Sequence, residues 1–236
     1  MIGFVNECNR PEEVERILRL WKEAGADLGN HTCSHPDLNS TPVAEYERDI
    51  LKGESVTTSV LRHTPKYFRY PFLHTGANAA TRQRVASFLS EHSYRNAPVT
   101  LDNDDYVFAR VYASTLARNN LARAAHLQKA YIDYMEAIFA FFEQWSEEVT
   151  GSAIRQILLI HASQLNADAM PDLLKMMRRR GYRFVTLDRA LADPAYSLPE
   201  AYVGFRGLSW VHRWAQSKGM KLKSEPQVPQ DRKSVV

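Results

Sequence analysis

The sequence is poor in cysteine and has no long apolar run, and each shortage excludes something. Two cysteines among 236 residues, Cys8 and Cys33, do not make a disulfide framework, and their positions alone do not decide whether they meet. No run of about eighteen apolar residues occurs, so no transmembrane segment is indicated. Met1 leads straight into Ile-Gly-Phe-Val, with no charged leader, long apolar stretch or cleavage site. Taken literally this describes a soluble, unexported chain, although localisation is left open. There is no internal repeat. A net charge of +3, with both signs interspersed, offers no long basic face with interleaved aromatics, so nucleic acid is not an expected partner. The arginines that close Met176–Arg180 end a helical pattern, where cations suit the helix dipole, and are read as a solvated helix end.

What is present suffices for a folded core: 44% of residues are hydrophobic and 24% charged. Strand-like and helix-like segments alternate. Strands are expected at Ile2–Asn6, Ala26–Asn30, Lys66–Tyr70, Tyr94–Leu101, Arg155–His161 and Tyr182–Thr186. Helices are expected at Pro11–Ala24, from Thr41 and Pro42 through Leu51, at Thr81–His92, from about Leu116 to Val149 and at Ala169–Arg180. The run Ile157-Leu-Leu-Ile160 reads as a strand covered on both faces. Such alternation predicts an α/β fold of parallel strands with helical crossovers. Residues 1–192 are expected to form one barrel-like domain and 193–236 a C-terminal extension ending in a polar, frayed tail. Within that extension Trp210, His212, Arg213 and Trp214 have near-helical spacing, which favours packing against the barrel.

Four short segments carry chemistry. Asn30-His-Thr-Cys-Ser-His35-Pro36 places two imidazoles four residues apart in a strand-to-loop context. Two such rings readily share a zinc-like ion, but two hydrogen-bonded loop histidines have the same spacing. Phe68-Arg-Tyr-Pro-Phe72 puts Arg69 at a strand end, where a guanidinium can orient a carboxylate or simply face solvent. Asp102-Asn-Asp-Asp105 follows a strand, where acids orient catalytic groups and also make turns and caps. Leu158-Leu-Ile-His161 ends an apolar strand in a histidine, at the end of a parallel sheet where active sites gather. The shared position after predicted strands says more than any one segment.

In order and wording the four segments resemble the polysaccharide deacetylases, carbohydrate esterase family four, over about residues 2 to 190. The resemblance implies a distorted (β/α) barrel that removes acetyl groups from N-acetylated polysaccharide of the chitin or peptidoglycan kind, with acetylated polysaccharide or oligosaccharide as partner. It implies that His31 and His35 bind a divalent metal, usually zinc, and that Arg69 orients the catalytic base. It further implies that the Phe72 N–H holds the oxyanion, Leu159 lines the acetyl-methyl pocket, His161 is the general acid and Asp105 tunes His161.

The family opens on a strand ending Thr-Phe-Asp-Asp, which supplies the base and a third metal ligand. No Asp-Asp precedes His31 here, and Ile2–Asn6 resembles the family's second strand. The expectation is therefore a fold with its first strand missing, weakly active or inactive as written. Its sequence would start too late. A non-catalytic carbohydrate- or partner-binding remnant and an O-acetyl polysaccharide esterase are the alternatives. Glu7 is the nearest acid to the strand end, and nothing marks it as a substitute.

Overall fold

The structure is a computed structural model describing residues 1–229; residues 230–236, the end of the predicted tail, lie outside the described residues. The chain divides into two compact units. Among the described residues the first comprises 1–98 and 200–209, the second 99–199 and 210–229. The stretch from residue 193 thus contributes to both.

The first unit is an open parallel sheet with helical crossovers, as the alternating pattern predicts. Its strands are β1 (Ile2–Val5), β2 (Asp27–Asn30), β3 (Tyr67–Phe68) and β4 (Arg95–Asn96), hydrogen-bonded in chain order. Helix α1 (Pro11–Glu23) connects β1 to β2, and it starts where proline's missing N–H costs nothing. Glu12 and Glu13 in its first turn complement the helix dipole. Helix α2 (Val43–Leu61) connects β2 to β3 and ends on Arg62 in the left-handed region. Helix α3 (Ala79–Glu91) connects β3 to β4 and is capped by the Asn78 side chain, which accepts from the Thr81 N–H. Register runs Val5 opposite Asn30 and Asn30 opposite Phe68, so β2 delivers Asn30 and then His31 to the carboxyl edge of the sheet. One core cluster gathers Tyr46, Ile50, Phe68, Tyr70, Val85 and Tyr94; a second gathers Val5, Leu18, Leu28, Val56 and Val60.

The second unit is mostly helical: α4 (Asp105–Ala117), α5 (Leu121–Thr150), α6 (Gln164–Arg179), the short α7 (Leu187–Leu191) and α8 (Trp210–Ser217). The apolar side of α5 is buried at Leu127, Tyr131, Tyr134, Ile138, Phe142 and Trp145, whereas Phe141, on the same side by its spacing, is only half-buried. Trp210, His212, Arg213 and Trp214 of α8 are buried as well.

Several expectations are corrected. The long helix expected from Leu116 begins only at Leu121, because the chain breaks at Arg118–Asn120 and Asn119 takes a φ of 54°. A separate α4, whose first residue is Asp105, precedes that break. Arg155–His161 is not a strand covered on both faces: only Leu158 makes a bridge, to Leu101, and of 157–160 only Ile157 is buried. Tyr182–Thr186 makes no strand; it is largely exposed, and Phe184 and Val185 find no sheet neighbour to cover them. Arg180 is not a solvated helix end either, since its guanidinium bonds Glu143 and Glu136 of α5.

Candidate active site

In the first unit the His31–His35 loop is built by its neighbours. Asn30 is fully buried, donates to the Ile50 carbonyl (2.9 Å) and the Tyr94 hydroxyl (2.7 Å), and accepts from the Thr32 N–H (2.8 Å). Thr32 and His35 both take left-handed backbone angles, φ 68° and 56°. That turn is uncommon for residues with a Cβ and needs outside support. Part of the support is the Thr32 hydroxyl, which accepts from the His35 N–H at 3.1 Å. More comes from α2: the Asp49 carboxylate accepts the N–H groups of Cys33 and Ser34, each at 2.9 Å, and the Ser34 hydroxyl at 2.9 Å. Gly53 lets the loop lie directly on that helix, since a Cβ there would sit 2.5 Å from the Thr32 carbonyl. The two cysteines, undecided from sequence, form a disulfide, Cys8–Cys33, with Cα atoms 5.2 Å apart. It ties this loop to the segment after β1.

The imidazoles of His31 and His35 lie 4.8 Å apart, edge to face. His31 Nδ1 is 2.7 Å from the Arg69 carbonyl, so Nδ1 carries a proton and donates it to that oxygen. Metal-ligating histidines commonly make such a hydrogen bond through their other ring nitrogen. The donor count falls short, however. Among the described residues no three His, Cys, Asp or Glu side chains group so as to hold a metal ion, and a resident zinc takes three or four protein ligands. That hydrogen bond suits a metal site, and the ligand set by itself does not.

Arg69 is buried at 7% exposure, with Nε donating to the Ala97 carbonyl at 3.3 Å and the guanidinium 4.2 Å over the Phe4 ring. It therefore faces β1 and is not the surface arginine that its position before a proline also permitted. Phe72 and Leu73 follow in left-handed conformation, φ 55° and 56°, within a single 3-10 turn. The Phe72 ring is 53% exposed and lies 4.5 Å from His35 and 5.7 Å from His74. His74 Nδ1 is 2.7 Å from the Asp37 carboxylate. Burial opposes ionisation of Asp37, but the hydrogen bonds from His74 and the Asn39 N–H hold its pKa below the usual carboxylate value.

In the second unit Asp105 and His161 meet. Asp105 Oδ1 is 2.6 Å from His161 Nδ1, and Oδ2 accepts the His161 N–H at 2.8 Å. The Asp105 side chain is 1% exposed and that of His161 is 52% exposed. A buried acid thus fixes the ring of an accessible histidine through Nδ1. Asn166 on α6 donates to Asp105 Oδ2 (2.6 Å) and to the His161 carbonyl (2.8 Å), and accepts from the Tyr131 hydroxyl (2.6 Å). Asn103 accepts the Asp105 N–H at 3.0 Å and donates to the Leu159 carbonyl at 2.7 Å. Leu159 itself is half-buried. Burial, reinforced by Asp104 and Asp105, pushes the Asp102 pKa up to about 6. The structure thus pairs His31 with His35 in one unit and Asp105 with His161 in the other. Asp49, Gly53, Asn166 and Tyr131 were not picked out from sequence; they are remote in the chain, and no local pattern marks them.

Residues 2–89 match the family model described as polysaccharide deacetylase. The peptidoglycan-N-acetylglucosamine deacetylase of Bacillus cereus is 23% identical over 181 residues, which is 75% of this chain and 53% of that protein. A chitin deacetylase of Colletotrichum lindemuthianum is 25% identical over 180 residues, 75% of this chain and 60% of that protein. The chain therefore spans little more than half the length of these relatives. A family 4 carbohydrate esterase pseudoenzyme from Bacillus anthracis superposes with a TM-score of 0.52, covering 78% of this chain and 53% of that one at 14% identity, a likeness of fold. The match to the polysaccharide deacetylase model thus takes in β1 to β3 and the His31–His35 and Arg69–Phe72 segments, and the chain is similar to polysaccharide deacetylases over that part.

Proposed function

We propose that this chain is a polysaccharide deacetylase whose substrate is an N-acetylated polymer of the chitin or peptidoglycan kind. The observation that carries the reading is the accessible His161 held through Nδ1 by the buried Asp105. In this reading His161 Nε2 delivers a proton to the departing sugar amine, and Asp105 stabilises the imidazolium before transfer. The Phe72 N–H would stabilise the oxyanion, Leu159 would contact the acetyl methyl group, and Arg69 would orient a carboxylate acting as base. His31 Nε2 and His35 would contribute two donors to a divalent ion only alongside a third donor, so no step is assigned to a metal.

Because no Asp-Asp precedes His31, polypeptide 1–236 is expected to release acetate slowly or not at all. The test is acetate release from the N-acetylglucosamine tetramer and, separately, from acetylated xylan, followed by mass spectrometry. Slow release from the tetramer that His161→Ala abolishes supports the proposal. Fast release, unaffected by His161→Ala or His31→Ala, would sink it. Preference for xylan would move the assignment to an O-acetyl esterase. The two-imidazole donor set favours a second reading, a non-catalytic carbohydrate-binding protein, which predicts tetramer binding without turnover and indifference to chelator.

A further inference from the structure

We infer that the strap of residues 200–209 adds a sugar-stacking subsite beside the His31–His35 loop, with the exposed ring of Phe205 as its platform and a neutral N-acetylated pyranose chain as its ligand. The inference rests on the carbohydrate reading of this site and adds to it a binding position that none of the four sequence motifs contains.

The strap belongs to the first unit and is fastened to it along its length. Arg82 on α3 bonds the Glu200 carboxylate at 2.9 Å, and the Gly204 N–H reaches the Gly76 carbonyl at 3.3 Å. Tyr202 is buried at 8% exposure, and its hydroxyl accepts the Arg206 N–H at 3.0 Å, closing a loop around its own ring. Gly204 must be glycine there, because a Cβ would lie 2.6 Å from that hydroxyl. Gly207 approaches the Phe72 turn so closely that a Cβ would fall 2.0 Å from the Phe72 carbonyl oxygen.

A loop held at so many points does not wave its side chains at random. It nevertheless turns Phe205 out at 73% exposure and Val203 at 40%, with Arg206 exposed between Phe205 and Gly207. Single exposed apolar residues are ordinary, but these two lie on a strap whose Gly207 abuts the turn of Phe72, itself 53% exposed. Two residues of extended chain span at most about 7 Å, which keeps Phe205 close to Gly207 and hence to the Phe72 turn. Phe72 in turn touches His35, so the strap is anchored beside the candidate site. A pyranose offers what such a surface takes: an apolar C–H face for an aromatic ring and hydroxyls for a neighbouring guanidinium.

The test is isothermal titration of the full 236-residue chain with the β-1,4-linked N-acetylglucosamine tetramer, alongside Phe205→Ala and Phe205→Trp. Phe205→Ala is expected to weaken binding about tenfold, about 1.4 kcal/mol. Phe205→Trp should bind as well as the native chain or better, and all three should melt together because the ring is exposed. Equal affinity in Phe205→Ala, or no binding by the native chain, overturns the subsite. So does sedimentation showing a dimer that Phe205→Ala dissolves, since the patch would then join two copies. Acetate release is scored separately. Turnover with Phe205-independent binding removes the subsite and leaves the hydrolase. Phe205-dependent binding without turnover keeps the subsite and favours the carbohydrate-binding reading.

Discussion

The two units hold their histidines in different ways. The His31–His35 pair lies within one continuous heptapeptide, and its shape is enforced from one side by α2 through Asp49 and Gly53. The Asp105–His161 pair spans 56 residues and is secured by α5 and α6 through Tyr131 and Asn166. The first arrangement is a loop whose backbone is bent into place; the second is a buried carboxylate that accepts three hydrogen bonds. Disturbing the first should shift geometry at modest cost, whereas disturbing the second should cost much stability.

The largest effect is expected for Asp105→Ala. It removes the acceptor for the His161 ring, the His161 N–H and the Asn166 amide, so unfolding free energy should fall by about 4 kcal/mol, read from denaturant unfolding. Little change would mean the dyad is not the structural keystone of its unit. Next is the disulfide. Opening the Cys8–Cys33 link in a paired Cys→Ser variant should cost about 3 kcal/mol through the unfolded chain's regained freedom, measured as a fall in Tm without reductant. The native chain in reductant should match the variant.

A third effect comes from Asp102. Its folded pKa, about 6, lies above its unfolded value near 3.8, so the folded state binds the extra proton. The associated stability is fully present below about pH 4 and is lost as pH rises through about 6, roughly 2 kcal/mol with solvent screening allowed for. Asp102→Asn should flatten that part of the stability profile; an unchanged slope would assign it elsewhere. The smallest effect belongs to Gly53→Ala. A Cβ 2.5 Å from Thr32 strains the loop by about 2 kcal/mol, offset by roughly 1 kcal/mol of helix propensity. The net loss is about 1 kcal/mol, but the His31 and His35 ring resonances should shift while those of His161 stay put. That asymmetry is the direct check on the comparison.

These variants also separate what was legible in the sequence from what was not. Asn30–His35 is readable because its residues are adjacent, and the 3.6 periodicity of α5 is readable because one face of it is buried. Arg155–His161 misled because an apolar run of four is the same signal whether it is covered on two faces or one. Tyr182–Thr186 misled in the same way, since a strand needs a neighbour that its own residues cannot specify.

The sequence by itself determined the α/β alternation, the helix start at Pro11 and the four segments that bear the chemistry, because each depends on residues within a few positions of one another, whereas the helix expected from Ala169 starts at Gln164. Tertiary structure alone decided that Cys8 meets Cys33, that Arg69 lies over Phe4, that Asn166 and Tyr131 back the Asp105–His161 pair, and that Gly207 seats the strap against Phe72. Each of these is a contact between segments distant in the chain. It is set by how buried polar groups find partners and how closely backbones approach, and neither is written into any local pattern.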